Sequence, residues 1–197
     1  NEYSNLPVPI KMAFLDQGGH LVDFKINNSI LDKEHVYLLC NSKETIIIEC
    51  EEEKITPSFL RSFSAPVYLK TDLQEIDYLH ILKYDNDAFN KWDAAQNLYF
   101  EYFIKNKDVT KLTDLLKSLI SSNSINNSLM SLLIELPSRA SLENLLDTVD
   151  PIDVFYKRQS LMKEIALNLK TTLENVALHL AEDDIKKKKN QGHRSLL

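Results

Sequence analysis

Val8, Ile10, Met12 and Phe14 alternate with other residues, which is the spacing of one face of a β-strand. A strand is predicted over 7–15, with Pro7 and Pro9 placed at an edge or at the strand start because neither has a donor for a central ladder. Asp16, Gln17, Gly18 and Gly19 predict a turn, since the glycines accept positive φ, and Leu21, Phe24 and Ile26 then form the returning arm. Residues 36–40, a turn at 41–44 and residues 45–50 predict a second hairpin rich in β-branched side chains. Residues 65–70 predict the last strand, and the mostly acidic run 49–53 a solvated loop. Five or so short strands amount to a partial sandwich, expected to lack a covering strand at Asn1–Asn5.

Beyond residue 70 the apolar period changes from two to three and four, with hardly any breaker inside the runs. Asp72 is the expected N-cap of a first helix, with Glu75 three residues on and Leu73, Ile76, Leu79 and Leu82 on its buried face. A second helix runs from Asp87 to Lys105 and carries Phe89, Trp92, Gln96, Tyr99 and Phe103. Trp92 is expected to be buried where the first two helices meet the β unit. A third helix begins at Asp108 or Thr110 and ends at Ile120; a fourth holds Leu129 to Leu136 and is stopped by Pro137. Ser141 is expected to cap a short fifth. Asp150-Pro151 starts a sixth, whose apolar face is Val154, Phe155, Met162, Ile165, Leu169, Leu173, Val176 and Leu180. The lysine run 186–189 and the residues to Arg194 predict a loop or frayed end. Short links between successive helices make them antiparallel neighbours, the start of a superhelical array of hairpins of ARM or HEAT type. The fold class is therefore two-domain β + α. The domains are 1–70, a partial immunoglobulin-like β-sandwich incomplete at its N-terminus, and 71–197, a helical domain incomplete at its C-terminus.

Composition narrows the function classes. The formal net charge is −6 over 197 residues and divides evenly between the two parts, so no large basic face is implied and neither nucleic acid nor an anionic membrane is an expected partner. Cys40 and Cys50 are the only cysteines, too few for a disulfide scaffold, and both fall in apolar runs that predict buried thiols. No stretch is apolar enough to span a bilayer, and no leader pattern precedes the first strand; a cytoplasmic protein is the expectation. The chain begins at Asn1 without Met, as a fragment would. His20, His35, His80, His179 and His193 are scattered, without the helical His-Glu-x-x-His pair that faces one zinc. With three glycines there is no phosphate loop and no nucleophile elbow. Asn27-Asn28-Ser29 and Asn126-Asn127-Ser128 match a glycosylation sequon that recurs by chance in an Asn-rich chain. Arg61, between Leu60 and Ser62, is the one charged residue placed for burial, with an ion pair or carbonyl contact as its default role. Catalytic, substrate-binding and metal-ligating residues are none on this reading. The residues singled out are the junction set Arg61, Phe63, Pro66, Phe89, Trp92 and Gln96.

Those landmarks carry a resemblance. Phe63-Ser64-Ala65-Pro66-Val67, the run from Phe89 to Gln96 (Phe-Asn-Lys-Trp-Asp-Ala-Ala-Gln), Leu136-Pro137-Ser138 and Asp150-Pro151-Ile152 occur in an order similar to the C-terminal part of bacterial-type aminopeptidase N, a gluzincin zinc aminopeptidase family. The resemblance covers about Pro7 to residue 180, and none of its motifs is a catalytic signature. It implies a four-domain parent: a β saddle, a thermolysin-like catalytic domain, a small β-sandwich and a bowl of helices. The parent would release N-terminal amino acids from peptides with zinc as cofactor. On that reading the zinc ligands and the catalytic groups lie upstream, and no residue of this chain takes a catalytic, substrate or metal role. Its partners would be the catalytic domain of the parent chain and the parent's peptide substrates, and the isolated fragment is expected to self-associate. Two other readings stand beside it: a scaffold of the same two domains without a peptidase half, and an unrelated helical adaptor with a β cap.

Overall fold

The computed structural model describes residues 6–27, 29–122, 124–146 and 148–194. Asn1–Asn5, on which the uncovered-edge expectation rests, lies outside the described residues. Among the described residues, six strands form two antiparallel three-stranded sheets, and six α-helices follow. The first sheet has the order β4-β1-β6, built from β1 (Val8–Leu15), β4 (Glu34–Leu39) and β6 (Thr56–Phe59). The second has the order β3-β2-β5, built from β2 (Phe24–Ile26), β3 (Ser29–Leu31) and β5 (Ile48–Glu49). The core between them is Met12, Phe14, Phe24 and Ile26, and the Phe14 and Phe24 rings meet edge to face at 4.8 Å.

Three strand expectations are corrected. The arm after the Gly18-Gly19 turn returns along β1 only briefly, through the Leu15–Leu21 bridge, Val22 N–H donating to Phe14 O at 3.0 Å and Asp16 N–H donating to His20 O at 2.9 Å, and then crosses to the second sheet as β2. Residues 36–40 and 45–50 are not a hairpin, because β4 pairs with β1 while β5 pairs with β2. A sandwich buries two facing sheets, and alternate crossing satisfies that where local pairing would leave one face bare. Residues 65–70 form no strand; the last strand is β6, which pairs only with Met12–Leu15 of β1. At Pro9, β1 therefore has a strand neighbour on the β4 side alone, which is why a residue without an N–H is tolerated in the central strand.

The helices are α1 (Glu75–Tyr84), α2 (Ala88–Lys105), α3 (Thr110–Ser122), α4 (Asn127–Leu133), α5 (Arg139–Glu143) and α6 (Pro151–Arg194). Two caps differ from expectation. α1 starts after Gln74 rather than at Asp72, with Asp77 accepting from the Gln74 N–H at 2.9 Å, and Ile76 faces solvent. α5 is capped by Ser138, whose Oγ accepts from Ser141 N at 3.0 Å, rather than by Ser141. α6 continues to Arg194 where a loop was expected.

Contacts divide the chain into two compact units: Asn1–Glu101 with Asn127–Pro137, and Tyr102–Asn126 with Ser138–Leu197. In the second unit α3 packs on α6, and Val154, Leu161, Ile165 and Leu169 form the buried stripe of α6. Phe155, Met162 and Leu180, expected on that stripe, are exposed. In the first unit the Tyr99 hydroxyl donates to Leu133 O at 2.8 Å, tying α4 to α2.

Gly19 has φ +85°, and a Cβ there would lie 2.3 Å from the Tyr84 ring. Gly19→Ala combines strained backbone with overpacking and is expected to cost roughly 2–4 kcal/mol. The denaturant midpoint of the variant, at unchanged slope, measures this.

Candidate functional site: the Arg61 junction

Ala13 of β1 is opposite Glu34 of β4 on one side and Ser58 of β6 on the other. The row Glu34, Ala13, Ser58 thus crosses the outer face of the first sheet, with the smallest side chain in the middle. Over that methyl group lies the Arg61 guanidinium, 1% exposed. Each of its three nitrogens donates to at least one acceptor. Nε and Nη2 reach Glu34 Oε1 at 2.9 and 2.8 Å, Nη1 donates to Asp85 Oδ1 at 2.7 Å and Ser58 Oγ at 2.8 Å, and Nη2 also donates to Asn86 Oδ1. The acceptors come from two strands and from the α1–α2 link.

Each acceptor is itself held. Ser58 Oγ donates to Asp85 Oδ2 at 2.6 Å and accepts from Asn90 Nδ2 at 2.6 Å. Asp85 accepts the Asp87 N–H at 2.9 Å, and its own N–H closes α1 on Ile81 O. Asp87 caps α2 by accepting from Asn90 N at 3.0 Å, and its other oxygen accepts from both Ser62 N and Ser62 Oγ at 2.9 Å. Glu34 is also paired with Lys11 at 2.7 Å. The Lys11 ammonium, and after it the Arg61 guanidinium, hold the Glu34 carboxyl below its usual range against the opposing effect of burial.

The backbone beneath is strained. Leu60, Ser62 and Phe63 have φ of 55°, 55° and 53°, left-handed values that non-glycine residues rarely adopt. Burial of Leu60 and the two bonds from Ser62 to Asp87 hold the segment there.

The expected junction residues separate into different environments. Arg61 is the hub. Phe63 is 55% exposed and stacks on Phe89 at 5.2 Å, and Phe89 lies 5.8 Å from Trp92, so these three form a partly exposed aromatic row. Trp92 is half-buried rather than a core residue, because the buried side of α2 is the one carrying Lys91, Ala94, Ala95 and Leu98. Pro66 is exposed, and Gln96 donates to Glu135 O at 2.9 Å in a separate contact with the end of α4. Lys11, Glu34, Ser58, Asp85, Asn86, Asn90 and Lys91 were not singled out from sequence. The available signal was Ala13 and Ser58 interrupting otherwise apolar strand positions.

Lys91 is 8% exposed and donates to the last carbonyls of α1, Leu82 O at 2.7 Å and Lys83 O at 3.0 Å. Burial lowers its pKa from 10.5 to about 8, with Asp85 opposing.

Two histidines meet Asp16. His80 Nε2 lies 2.8 Å from Asp16 O, and His20 bonds Asp16 at 3.3 Å. Cys40 and Cys50 are free thiols, Cys40 exposed and Cys50 half-buried, so neither is the fully buried thiol expected. Among the described residues no group of three or more His, Cys, Asp or Glu could hold a metal ion, so zinc finds no fitting donor set there. No described helix is long and apolar enough to cross a membrane. The junction is a structural weld, in which the Ser58 and Ser62 hydroxyls and the Asp85 and Asp87 carboxylates are bonded to one another and to the chain around them.

Residues 1–72 match the family described as a domain of unknown function, DUF3458, with an Ig-like fold. Residues 75–197 match its partner, described as DUF3458_C, ARM repeats. The chain belongs to the DUF3458_C family. These two domains are the C-terminal domains of aminopeptidase N. Aminopeptidase N of Escherichia coli is 25% identical over 81% of the chain and 18% of its own length. Aminopeptidase N of Haemophilus influenzae is 24% identical over 93% of the chain and 22% of its own length. A crystal structure of Legionella pneumophila aminopeptidase A in complex with aspartic acid aligns with TM-score 0.75 and 26% identity, over 92% of this chain and 21% of that one. The DUF3458_C chain thus spans about a fifth of the length of the relatives it matches.

Two outcomes follow from the weld. Arg61→Met leaves Asp85 buried without its counter-charge and is expected to cost about 3–5 kcal/mol, read from chemical denaturation. Lys91 holds its proton less tightly folded than unfolded, so from about pH 8 to pH 10 the unfolded chain binds more protons and stability rises with pH. Lys91→Met is expected to lose that rise. Above this window the Tyr99 phenol, whose pKa burial raises, acts in the opposite sense in both proteins.

Proposed function

We propose that this chain is the non-catalytic C-terminal part of a zinc aminopeptidase. The observation that carries the reading is the uninterrupted succession of an Ig-like match and an ARM-repeat match in a chain whose relatives are aminopeptidases. In the parent, a zinc-bound water activated by a glutamate base would hydrolyse the N-terminal peptide bond. Zinc and its ligands would belong to the catalytic domain, and no residue of this chain would touch the reacting atoms. The sandwich would support the catalytic domain, and the helices would help enclose the chamber that admits peptides. The Arg61 weld suits a supporting role, because it joins the first sheet to the start of the helices within one compact unit. Free thiols at Cys40 and Cys50 are compatible with the reducing cytoplasm, where we place the parent. Apolar side chains exposed on β4 and α6, among them Val36, Leu38, Phe155 and Leu167, would meet other parts of the parent and lead the isolated chain to self-associate.

The isolated chain is expected to cleave no aminoacyl anilide and to retain no stoichiometric zinc after dialysis, while the parent does both. Metal analysis and a fluorogenic assay on the two proteins decide it. One tightly held zinc per isolated chain would overturn the reading.

A further inference from the structure

Within the first unit, a cavity of about 40 Å³ lies where residues 69–73 approach α1 and α2. Thr71, Tyr78, Asn90, Asp93 and Asn97 supply its polar wall. A single water needs roughly 10–15 Å³ on this measure, so there is room for a small ion with a water.

The wall is rich in oxygen acceptors and poor in positive charge. Asn90 is 6% exposed, and its Nδ2 donates to Ser58 Oγ at 2.6 Å and to Phe59 O at 2.9 Å. A carbonyl can only accept, so the amide is fixed with Oδ1 on the other side, and that buried oxygen has no partner. Asp93 accepts only from Asn97, at 3.1 Å, and no cation among the described residues pairs with it. Lys91 is turned away toward the end of α1. Tyr78 and Thr71 share one hydrogen bond of 3.3 Å, which leaves hydroxyl lone pairs free to serve as further ligands. Burial raises the Asp93 carboxyl above its usual range, as befits a carboxylate without a counter-charge.

We propose that this cavity binds one monovalent cation, an alkali ion or ammonium, through Asn90 Oδ1, the Asp93 carboxylate and the hydroxyls of Tyr78 and Thr71. Hard oxygen donors select such ions over soft-metal alternatives. A single carboxylate among neutral oxygens balances a single positive charge, whereas calcium and magnesium sites draw on more carboxylates or on phosphates. Bound there, the ion ties the link before α1 to both helices and satisfies the one acceptor that the Arg61 network leaves open.

The full chain should unfold about 3 °C or more higher in potassium, sodium or ammonium chloride than in N-methylglucamine chloride of equal ionic strength. Asp93→Asn should remove that difference, and crystals soaked in thallium should show one anomalous peak beside Asn90 and Asp93. Should Asp93→Asn fail to fold, Tyr78→Phe is expected to reduce the difference, and the thallium peak in the unsubstituted protein still decides. Equal midpoints in all four salts with no peak would mean that the cavity holds water only and would overturn the proposal. A salt effect that survives Asp93→Asn, with thallium bound elsewhere, would overturn it as well.

Discussion

A guanidinium taken out of water must have every N–H satisfied and its charge balanced, or the fold loses more than any single packing contact can return. Arg61 meets that demand only if Glu34, Ser58, Asp85 and Asn86 are all in place, and these belong to β4, β6 and the turn between α1 and α2. One side chain therefore makes the register of the first sheet and the geometry of the first helical turn conditional on each other. Ala13 is part of that condition. A larger residue in the row between Glu34 and Ser58 would lift the guanidinium off both.

The strain in residues 60–63 belongs to the same device. Left-handed φ at three non-glycine residues is unfavourable locally, and it persists because Leu60 is buried, Ser62 is bonded twice to Asp87 and Arg61 is bonded on every side. Asp87 thus serves as helix cap and loop clamp together, so the start of α2 and the turn after β6 are set by one carboxylate. Such buried ionic networks add little net stability compared with an apolar core, and what they specify well is one arrangement among several of similar compactness.

This chemistry holds chain segments in position. The junction side chains are spent on one another: each nitrogen of the hub arginine donates, and the lysine near it caps a helix. The relatives of this DUF3458_C chain are aminopeptidases about five times as long, and the chain aligns with their C-terminal domains.

Periodicity alone was enough to place the change from strands to helices near residue 70, the six helices and the start of β1, because burial of one face leaves its period in the sequence whatever the partner. It also singled out Arg61, a charged residue flanked by apolar and small ones. Strand pairing was not legible. Residues 36–50 look like a hairpin locally, and only the competition between two facing sheets sends β4 and β5 to different partners. Lengths near the ends of helices were equally ambiguous: Asp72 and Gln74, or Ser138 and Ser141, can each cap, and the neighbouring chain decides. The partners of Arg61 lay hidden for a related reason. Glu34, Asp85 and Asn86 are 24 to 27 residues from Arg61 along the chain, and Ser58, only 3 away, is as ordinary as they are in its local context. The cross-strand row through Ala13 brings Glu34 and Ser58 to one guanidinium and the α1–α2 link brings Asp85 and Asn86, contacts between segments that no local pattern encodes.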